Sequence, residues 1–454
     1  MLSLLLIPYI CYLGFLQTTT TTWMTPYYKK EPEAINVIED PNEFPIKFYY
    51  KYYVDLRYTP WRIRLFSMNP CLPKNFTILA IASYQNSSDI LQFVGRHTEK
   101  TCPFDWDPKC FYNSFFFEVN ITKIPDRLEV YVGQRRIKFE HFKIVRKEKK
   151  EGLTISVAPV YFYSHIHNII LFFEVWRAQG ATKFLIFYHS GTQQTRKFFN
   201  YYQDLGILEL IPWSGFGQLP EYIRHKHPEV ASSVCRSGQT LAQNIAALEA
   251  ETDLASSVDF DEIIVSENII ASNKVRQELK ASKNVGAAYF LHYFVQFHPK
   301  IDDFDYGGVL NPVFLDKRKA NKYIYNTSLV DNVDVHFVSS FIDNGHHLDV
   351  LNMTALLHYR INSYSDKSPK TKLNHKIFPE NDTAHLKNME NDLVNIFGTK
   401  PKLNPKLNED LEKCFANLEK IKECRSMVYF CKPAMMKGGE LWDFESTPSS
   451  QIFL

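Results

Sequence analysis

An alternation of strand and helix patterns after residue 153 limits what this chain can fold into more than any other feature. Short apolar runs, typical of buried strands, alternate with segments whose apolar residues have helical spacing, and two of those segments end at Gly180 and Gly206. The predicted elements are strands Thr154–Tyr161, Lys183–Tyr188 and Ile207–Ile211 and helices Ile166–Gln179, Thr195–Leu205 and Thr240–Glu251. This alternation over short connections favours an α/β fold with a mostly parallel central sheet.

The segments on either side of this region have other patterns. Residues 46–150 alternate aromatic and polar side chains between turn signals, which predicts a small β-rich module. Residues 24–45 are polar and hold four prolines, which predicts a stem. The predicted organisation is a leader at 1–23, a stem at 24–45, a β-rich module at 46–150, an α/β domain at 151–365 and a C-terminal extension at 366–454 with a helix (Asn408–Lys422) and a cysteine cluster.

The leader is apolar and carries no charge. No charged side chain occurs from Met1 to Tyr28, and Leu2–Leu16 is almost wholly apolar. With the threonines that follow, the stretch reaches about 20 residues, which is enough to span a bilayer as a helix. It is interpreted as either a signal-anchor or a cleaved signal peptide. The body is expected in the lumen of the ER and Golgi apparatus on a single-pass membrane protein, or secreted if the leader is cleaved.

Cysteines and glycosylation sequons favour the same compartment. Seven cysteines follow Cys11 of the leader, and in an oxidising lumen they are expected to form disulfides and leave one odd thiol. The Asn-x-Ser/Thr sequons that predict a glycoprotein are at Asn75, Asn86, Asn120, Asn326, Asn352 and Asn381. The formal net charge of +2 gives no electrostatic case for nucleic acid as a partner.

The triplet Asp259-Phe260-Asp261 is the candidate metal site. Two carboxylates at positions i and i+2 of a turn can converge on one divalent cation, Mn²⁺ or Mg²⁺, which would in turn bind a diphosphate. Taken alone, the triplet is better interpreted as a solvated turn, which is also the interpretation given to Asp303-Phe304-Asp305. The sequence around the triplet is therefore needed to distinguish a metal site from a solvated turn.

Several stretches in a fixed order supply that context. They are Ser156–Tyr161, Phe173–Phe184, Tyr202–Gly206, Glu209–Trp213, Arg236–Asn244, Asp259–Glu262, Lys322–Ile324, Val333–Val338 and Leu357–Arg360. On these stretches, residues 154–362 resemble glycosyltransferase family 92, whose members have the GT-A fold of nucleotide-diphospho-sugar transferases. The resemblance implies an inverting transfer of a sugar from a UDP-sugar, commonly UDP-galactose, to a glycan hydroxyl.

The resemblance also implies roles for individual residues. Asp259 and Asp261 would hold the cation, and a late histidine, His358 or His336, would add a ligand; a structural role is the alternative for each histidine. His358 is preferred because Arg360 beside it could pair with phosphate. The residues expected at the donor nucleotide are Pro159, Tyr161, Arg236, Gln239 and Arg360, with a surface ion pair as the alternative for Arg236. The weak candidates for the general base that inversion needs are Asp302, Asp303, Asp305 and Asp343.

The chain departs from the family pattern at three places. It has Asn244-Ile245-Ala246 where Asn-Asp-Cys is usual, Glu262 where Asp is usual, and Asn326-Thr327 near the place of a common Arg-Pro. These departures keep a second hypothesis open, a paralogue without turnover that binds a sugar or nucleotide in the lumen. A third, an adhesion module built from the β-rich part, conflicts with the α/β pattern of the rest.

Overall fold

A computed structural model describes residues 43–445 of the chain, with gaps. The residues not described within that range are 73–75, 100, 103–109, 214–215, 217, 268, 297–305, 311–312, 344, 360–376, 379–381, 402–403, 405, 408–409, 412, 415–416, 419–423, 425 and 438–440. The predicted leader, most of the stem and much of the predicted helix Asn408–Lys422 lie outside the described residues. Within the described part, no helix is both long and apolar enough to cross a bilayer.

The first eight strands form one sheet. They are β1 (Lys47–Asp55), β2 (Trp61–Asn69), β3 (Thr77–Tyr84), β4 (Ser87–His97), β5 (Asn113–Ile121), β6 (Arg127–Val132), β7 (Arg135–Phe139) and β8 (His141–Val145), in the spatial order β7-β6-β3-β4-β5-β2-β1-β8. Neighbours are antiparallel except for the parallel pair β1–β8. Successive side chains point to opposite faces, so Leu65 and Phe117 enter the sheet's own core while Phe66 and Phe116 face the rest of the protein.

The next twelve strands of the described chain form a second, eight-stranded sheet and two short two-stranded sheets. They are β9 (Lys150–Val160), β10 (Lys183–Tyr188), β11 (Ser190–Thr192), β12 (Leu208–Pro212), β13 (Thr252–Val258), β14 (Glu262–Ser266), β15 (Val285–Gln296), β16 (Val313–Asn326), β17 (Val330–Val333), β18 (Val338–Phe341), β19 (His347–Tyr359) and β20 (Trp442–Phe444). The order is β12-β10-β9-β13-β16-β15-β19-β14, while β11–β20 and β17–β18 form separate two-stranded sheets. The pairs β12–β10, β10–β9, β9–β13 and β15–β19 are parallel and the other three pairs of the large sheet are antiparallel.

Helices connect these strands and pack on the sheet. They are α1 (Ile166–Ala178), α2 (Gln193–Asp204), α3 (Glu221–Arg224), α4 (Gln239–Glu249), α5 (Ala271–Ala281), α6 (Asp382–Phe397) and α7 (Met427–Lys437). The predicted alternation of strands and helices between residues 154 and 251 is confirmed to within a few residues at each end. Gly180, which follows α1, has φ +96°, and a Cβ there would lie 2.0 Å from the Ser272 hydroxyl, so this turn requires glycine.

The expectation that the cysteines form disulfides is confirmed. Cys71–Cys102 lies within the first-sheet region, Cys414–Cys431 holds α7, and Cys110–Cys424 ties the first-sheet region to the C-terminal segment over 314 residues of sequence. Two predicted glycosylation sites, Asn86 and Asn120, are exposed on the first sheet, and Asn326 is half-buried. Asn75, Asn381 and the side chain of Asn352 lie outside the described residues.

A buried network of charges joins the first sheet to residues 327–331, which follow β16 of the second sheet. Arg57 binds Asp55 at 2.7 Å and donates to the carbonyls of Thr327 and Val330 at 2.6 and 2.8 Å. Arg64 of β2 pairs with Asp331 of β17, and the two side chains are 2% and 7% exposed. Charges this deeply buried are costly unless they are paired, so the contact between the two parts of the chain depends on these partners.

Asp331→Asn is expected to lower the free energy of unfolding at pH 7 by about 3 kcal/mol, because it removes the nearest charge partner of the buried Arg64 and leaves only Asp55 and Glu118, at 3.8 and 3.7 Å. Burial alone would raise the pKa of Asp331, but Arg64 and the Tyr58 hydroxyl outweigh it and hold that pKa well below the ordinary range. A carboxyl with a lowered folded-state pKa stabilises the protein above its unfolded pKa of about 4 and loses that contribution as the pH falls. The difference in the free energy of unfolding between wild type and variant, measured by denaturant unfolding, should therefore be smaller at pH 3 than at pH 7.

Asp343→Asn is the control, because that side chain is 68% exposed and its substitution should cost less than about 0.5 kcal/mol. Equal stability of Asp331→Asn and Asp343→Asn at pH 7 would contradict the structural role of the pair.

Candidate active site

The acidic triplet forms a tight turn between β13 and β14. The amide of Glu262 donates to the carbonyl of Asp259 at 2.9 Å, and the Glu262 carboxylate accepts from the Asp259 amide at 3.0 Å. Phe260 is buried between these acids, with ring centroids 4.8 Å from Tyr163 and 5.1 Å from Phe172. The phenylalanine therefore anchors the turn in the core and fixes the backbone of the acids on either side.

Two histidines from distant strands meet the turn. The His358 ring contacts the Asp261 carboxylate, and its Nδ1 lies 3.9 Å from Glu262 Oε1. His292 Nε2 lies 3.8 Å from the same Glu262 oxygen, and the two histidine rings stack with centroids 5.3 Å apart. Strand register explains the meeting, because β14 pairs Glu262 with His358 of β19, and β15 places His292 on the adjacent strand.

One lysine balances part of the negative charge. Lys322 of β16 places its Nζ 3.2 Å from Glu262 Oε2 and 3.7 Å from Asp259 Oδ2. Burial raises the pKa of Glu262 to about 8, a rise that Lys322 opposes and the neighbouring Asp259 and Asp261 reinforce. Three carboxyl groups share this one lysine, and the raised pKa of Glu262 means that this carboxyl keeps its proton near neutral pH unless further positive charge binds.

The donor set of this cluster fits a divalent cation. Carboxylate oxygens and imidazole nitrogens are suitable ligands for Mn²⁺, and one ligand atom each from Glu262, His292 and His358 lies within 4.8 Å of the others. The Asp261 and His358 side chains are at most 1% exposed, whereas that of Asp259 is 17% exposed, so Asp259 marks the side from which a ligand reaches the cluster.

A cavity of about 310 Å³ opens at the same edge of the sheet. Tyr161, His189 and Trp213, which line it, follow β9, β10 and β12 directly. Because β13 is parallel to β9, the acidic turn also lies at this edge. Ligands of open α/β sheets bind outside the carboxyl ends of the strands, which is where both the cavity and the turn lie.

The structure brings some of the residues predicted from sequence to this edge. Tyr161 lines the cavity, and Pro159 is buried near the end of β9. Arg236 has a left-handed backbone (φ 45°) and donates to Gln239 at 3.4 Å, beside the cavity-lining Ser237.

Other predicted site residues lie elsewhere. His336 is half-buried in the turn between β17 and β18 and is not in the group of Glu262, His292 and His358, and Asp343 is exposed. The candidates outside the described residues are Arg360, Asp302, Asp303 and Asp305.

Sequence reasoning misses three members of the cluster. Lys322 occurs only within one of the matching stretches, Glu262 is visible only as a departure from the family pattern, and no motif includes His292. The available signal for His292 is a histidine in the interior of an otherwise apolar and aromatic strand, Val285–Gln296. Another departure, Ile245-Ala246, is buried in the apolar cluster that joins α4 to the first sheet.

An α/β sheet with an acidic turn and a cavity at its carboxyl edge is an arrangement suited to binding a phosphorylated ligand and a cation. The family model of glycosyltransferase family 92 matches residues 151–397, more than half of the chain. The chain belongs to glycosyltransferase family 92, so the resemblance stated from the motifs is confirmed and the α/β domain is a glycosyltransferase domain. No curated protein matches the chain.

Asp261→Asn is expected to weaken Mn²⁺ binding by about 100-fold or more, because it removes charge and an oxygen ligand from the buried centre of the cluster. The measurement is the loss of the free-Mn²⁺ electron paramagnetic resonance signal on titration with protein. Asp204→Asn, at the exposed end of α2, is the control and should bind as the wild type does. Equal Mn²⁺ affinity in Asp261→Asn and the wild type would exclude the turn as the metal site.

Proposed function

We propose that this protein transfers a sugar from a nucleoside-diphosphate sugar to a hydroxyl of a glycan, with a divalent cation at the acidic turn. Family membership supports glycosyl transfer. The observation that carries the rest is the common edge of the sheet, where the aromatic cavity after β9, β10 and β12 lies beside the turn after β13. A nucleoside in the cavity would present its diphosphate to the turn.

The loop after β9 connects the cavity to the acidic turn within three residues, 161–163. Tyr161 lines the cavity, and the ring of Tyr163, two residues on, lies 4.8 Å from Phe260. Aromatic side chains such as Tyr161 and Trp213 offer flat apolar surfaces against which a base or a sugar ring can stack. Because β9 and β13 are neighbours in the sheet, a ligand bound at the end of β9 could extend its phosphates toward Asp259, which follows β13.

Asp259, Asp261 and His358 would hold the cation, Mn²⁺ or Mg²⁺, with Glu262 and His292 beside them. When bound, the cation stabilises negative charge on the departing nucleoside diphosphate. Lys322, which is 1% exposed, keeps Glu262 and Asp259 oriented through its two ion pairs. The buried cluster excludes water from the side of the turn that faces the core.

The finer assignments follow from the family resemblance. Galactose from UDP-galactose is the proposed donor, and the transfer is proposed to invert the anomeric centre. Asp302, Asp303, Asp305 and Asp343 are the proposed candidates for the general base. The three disulfides fit the proposed place in the oxidising lumen of the ER and Golgi apparatus, with the leader as membrane anchor or cleaved signal.

A luminal binding protein without turnover is the second candidate. The deep burial of Asp261 and His358 and the compensation of Glu262 by Lys322 favour it, because a cluster that is already partly neutralised gains less from a cation. The family acid and cysteine that Ile245 and Ala246 replace are absent as well.

Turnover of UDP-sugars against a panel of glycans separates the two candidates. The purified luminal chain with Mn²⁺ is expected to release UDP, with UDP-galactose the best donor. Asp259→Asn should lower kcat/KM at least about 100-fold, because it removes the accessible carboxylate that faces the diphosphate, while Asp204→Asn keeps wild-type activity. Binding of UDP without turnover on any donor would support the binding protein, and failure to bind UDP at all would contradict both.

A further inference from the structure

One wall of the cavity comes from a part of the chain that lies beyond the family match. The match ends at residue 397, whereas Tyr429 and Lys432 of α7 and Phe444 of β20 line the cavity. The opposite wall is formed by the ends of β9, β10 and β12. The cavity is therefore complete only when the C-terminal segment 426–445 is in place.

Several kinds of contact hold the C-terminal segment 426–445 against the sheet. Strand β20 pairs with β11, and the amide of Glu445 donates to the carbonyl of His189 at 2.9 Å. At the other end, the Ser426 amide donates to the Ser232 carbonyl at 2.9 Å. The disulfides Cys414–Cys431 and Cys110–Cys424 fix α7 and the residues before it. These contacts make the segment a fixed wall of the site.

Three successive residues connect this wall to the acidic turn. Tyr161 lines the cavity, Phe162 packs between Trp442 and Phe444 with ring centroids 5.1 and 6.0 Å away, and Tyr163 contacts the phenylalanine of the turn. Phe162 has φ 46°, a left-handed conformation that non-glycine residues adopt at a cost of about 1 kcal/mol or more. The packing of β20 on Phe162 stabilises this conformation, so the C-terminal segment helps to shape the loop between cavity and turn.

The wall also supplies the positive charge of the cavity. Lys432 is the one lysine or arginine among the described residues that line it, and its Nζ lies 5.6 Å from the centre of the Phe444 ring. Burial, with the neighbouring Lys432, lowers the pKa of His189 to about 4, so this histidine is neutral at pH 7. Glu445, the carboxylate that also lines the cavity, pairs with Arg196 at 3.5 Å, which offsets its negative charge. The ammonium of Lys432 is thus the cation that a bound anion would meet in the cavity.

We propose that Lys432 binds the diphosphate of the nucleotide sugar, so that part of the donor site lies outside the family-matched domain. This inference rests on the proposed function, since it takes the cavity as the nucleotide site. The ammonium would face the phosphates from the side opposite the acidic turn, and a lysine acts on phosphate as a point charge with three donors.

The test is a titration of the purified luminal chain with UDP in the presence of Mn²⁺, repeated with uridine. Lys432→Gln is expected to weaken UDP binding about tenfold, the loss of one charge-assisted contact, and to leave uridine binding unchanged. Lys432→Arg should restore most of the UDP affinity. Lys437→Gln, on the exposed end of the same helix, is the matched control and should bind UDP as the wild type does. Melting temperatures without ligand should agree for all variants.

The outcomes distinguish a failure of the inference about Lys432 from a failure of the proposed function. If the wild type binds UDP and Lys432→Gln binds it equally well, the inference is wrong and the proposed function stands. An equal loss of uridine and UDP affinity also overturns it, because Lys432 would then support the base and not the phosphates. A wild-type chain that does not bind UDP contradicts the proposed function itself.

Discussion

The burial of Phe260 between two aspartates is the interaction on which the site depends. Its ring packs against Tyr163, Phe172 and Phe199, and burial of a phenylalanine contributes roughly 1.5–3 kcal/mol. Tyr359 reinforces the position, since its hydroxyl donates to the Phe260 carbonyl at 2.9 Å and its amide donates to the Asp261 carbonyl at 3.1 Å. Two flanking carboxylates are thereby held at the edge of the sheet without any ligand to organise them.

The parts of the fold that depend on local pattern could be predicted from sequence. Strand Lys183–Tyr188 has the predicted bounds, and α1 differs from its prediction by one residue, because alternation, helical spacing and Gly180 are all local signals. The cluster around Glu262 was not predictable in the same way. His292 reaches it only through the pairing of β15 with β19 and of β19 with β14, which no local pattern encodes.

The position of the C-terminal segment could not be predicted from local sequence patterns either. The sequence predicts that the cysteines pair, but spacing alone cannot choose the partners, and the pair Cys110–Cys424 joins residues 314 positions apart. The same disulfide holds the start of the C-terminal segment, whose residues Tyr429, Lys432 and Phe444 line the cavity beside the family domain. A family motif locates the acidic turn in the sequence. The shape and charge of the adjoining cavity depend on residues far apart in the sequence, so they could be read only from the structure.

We propose that one site at the carboxyl edge of the sheet binds a cation and a nucleoside diphosphate together. Pulsed electron paramagnetic resonance of Mn²⁺ in the presence of UDP and the purified protein tests this most directly. We expect nitrogen couplings from histidine and phosphorus couplings from UDP on the same Mn²⁺, with the nitrogen couplings weakened in His358→Ala and lost when His292 is replaced by alanine as well. A spectrum identical to that of Mn²⁺ and UDP in buffer would contradict the account.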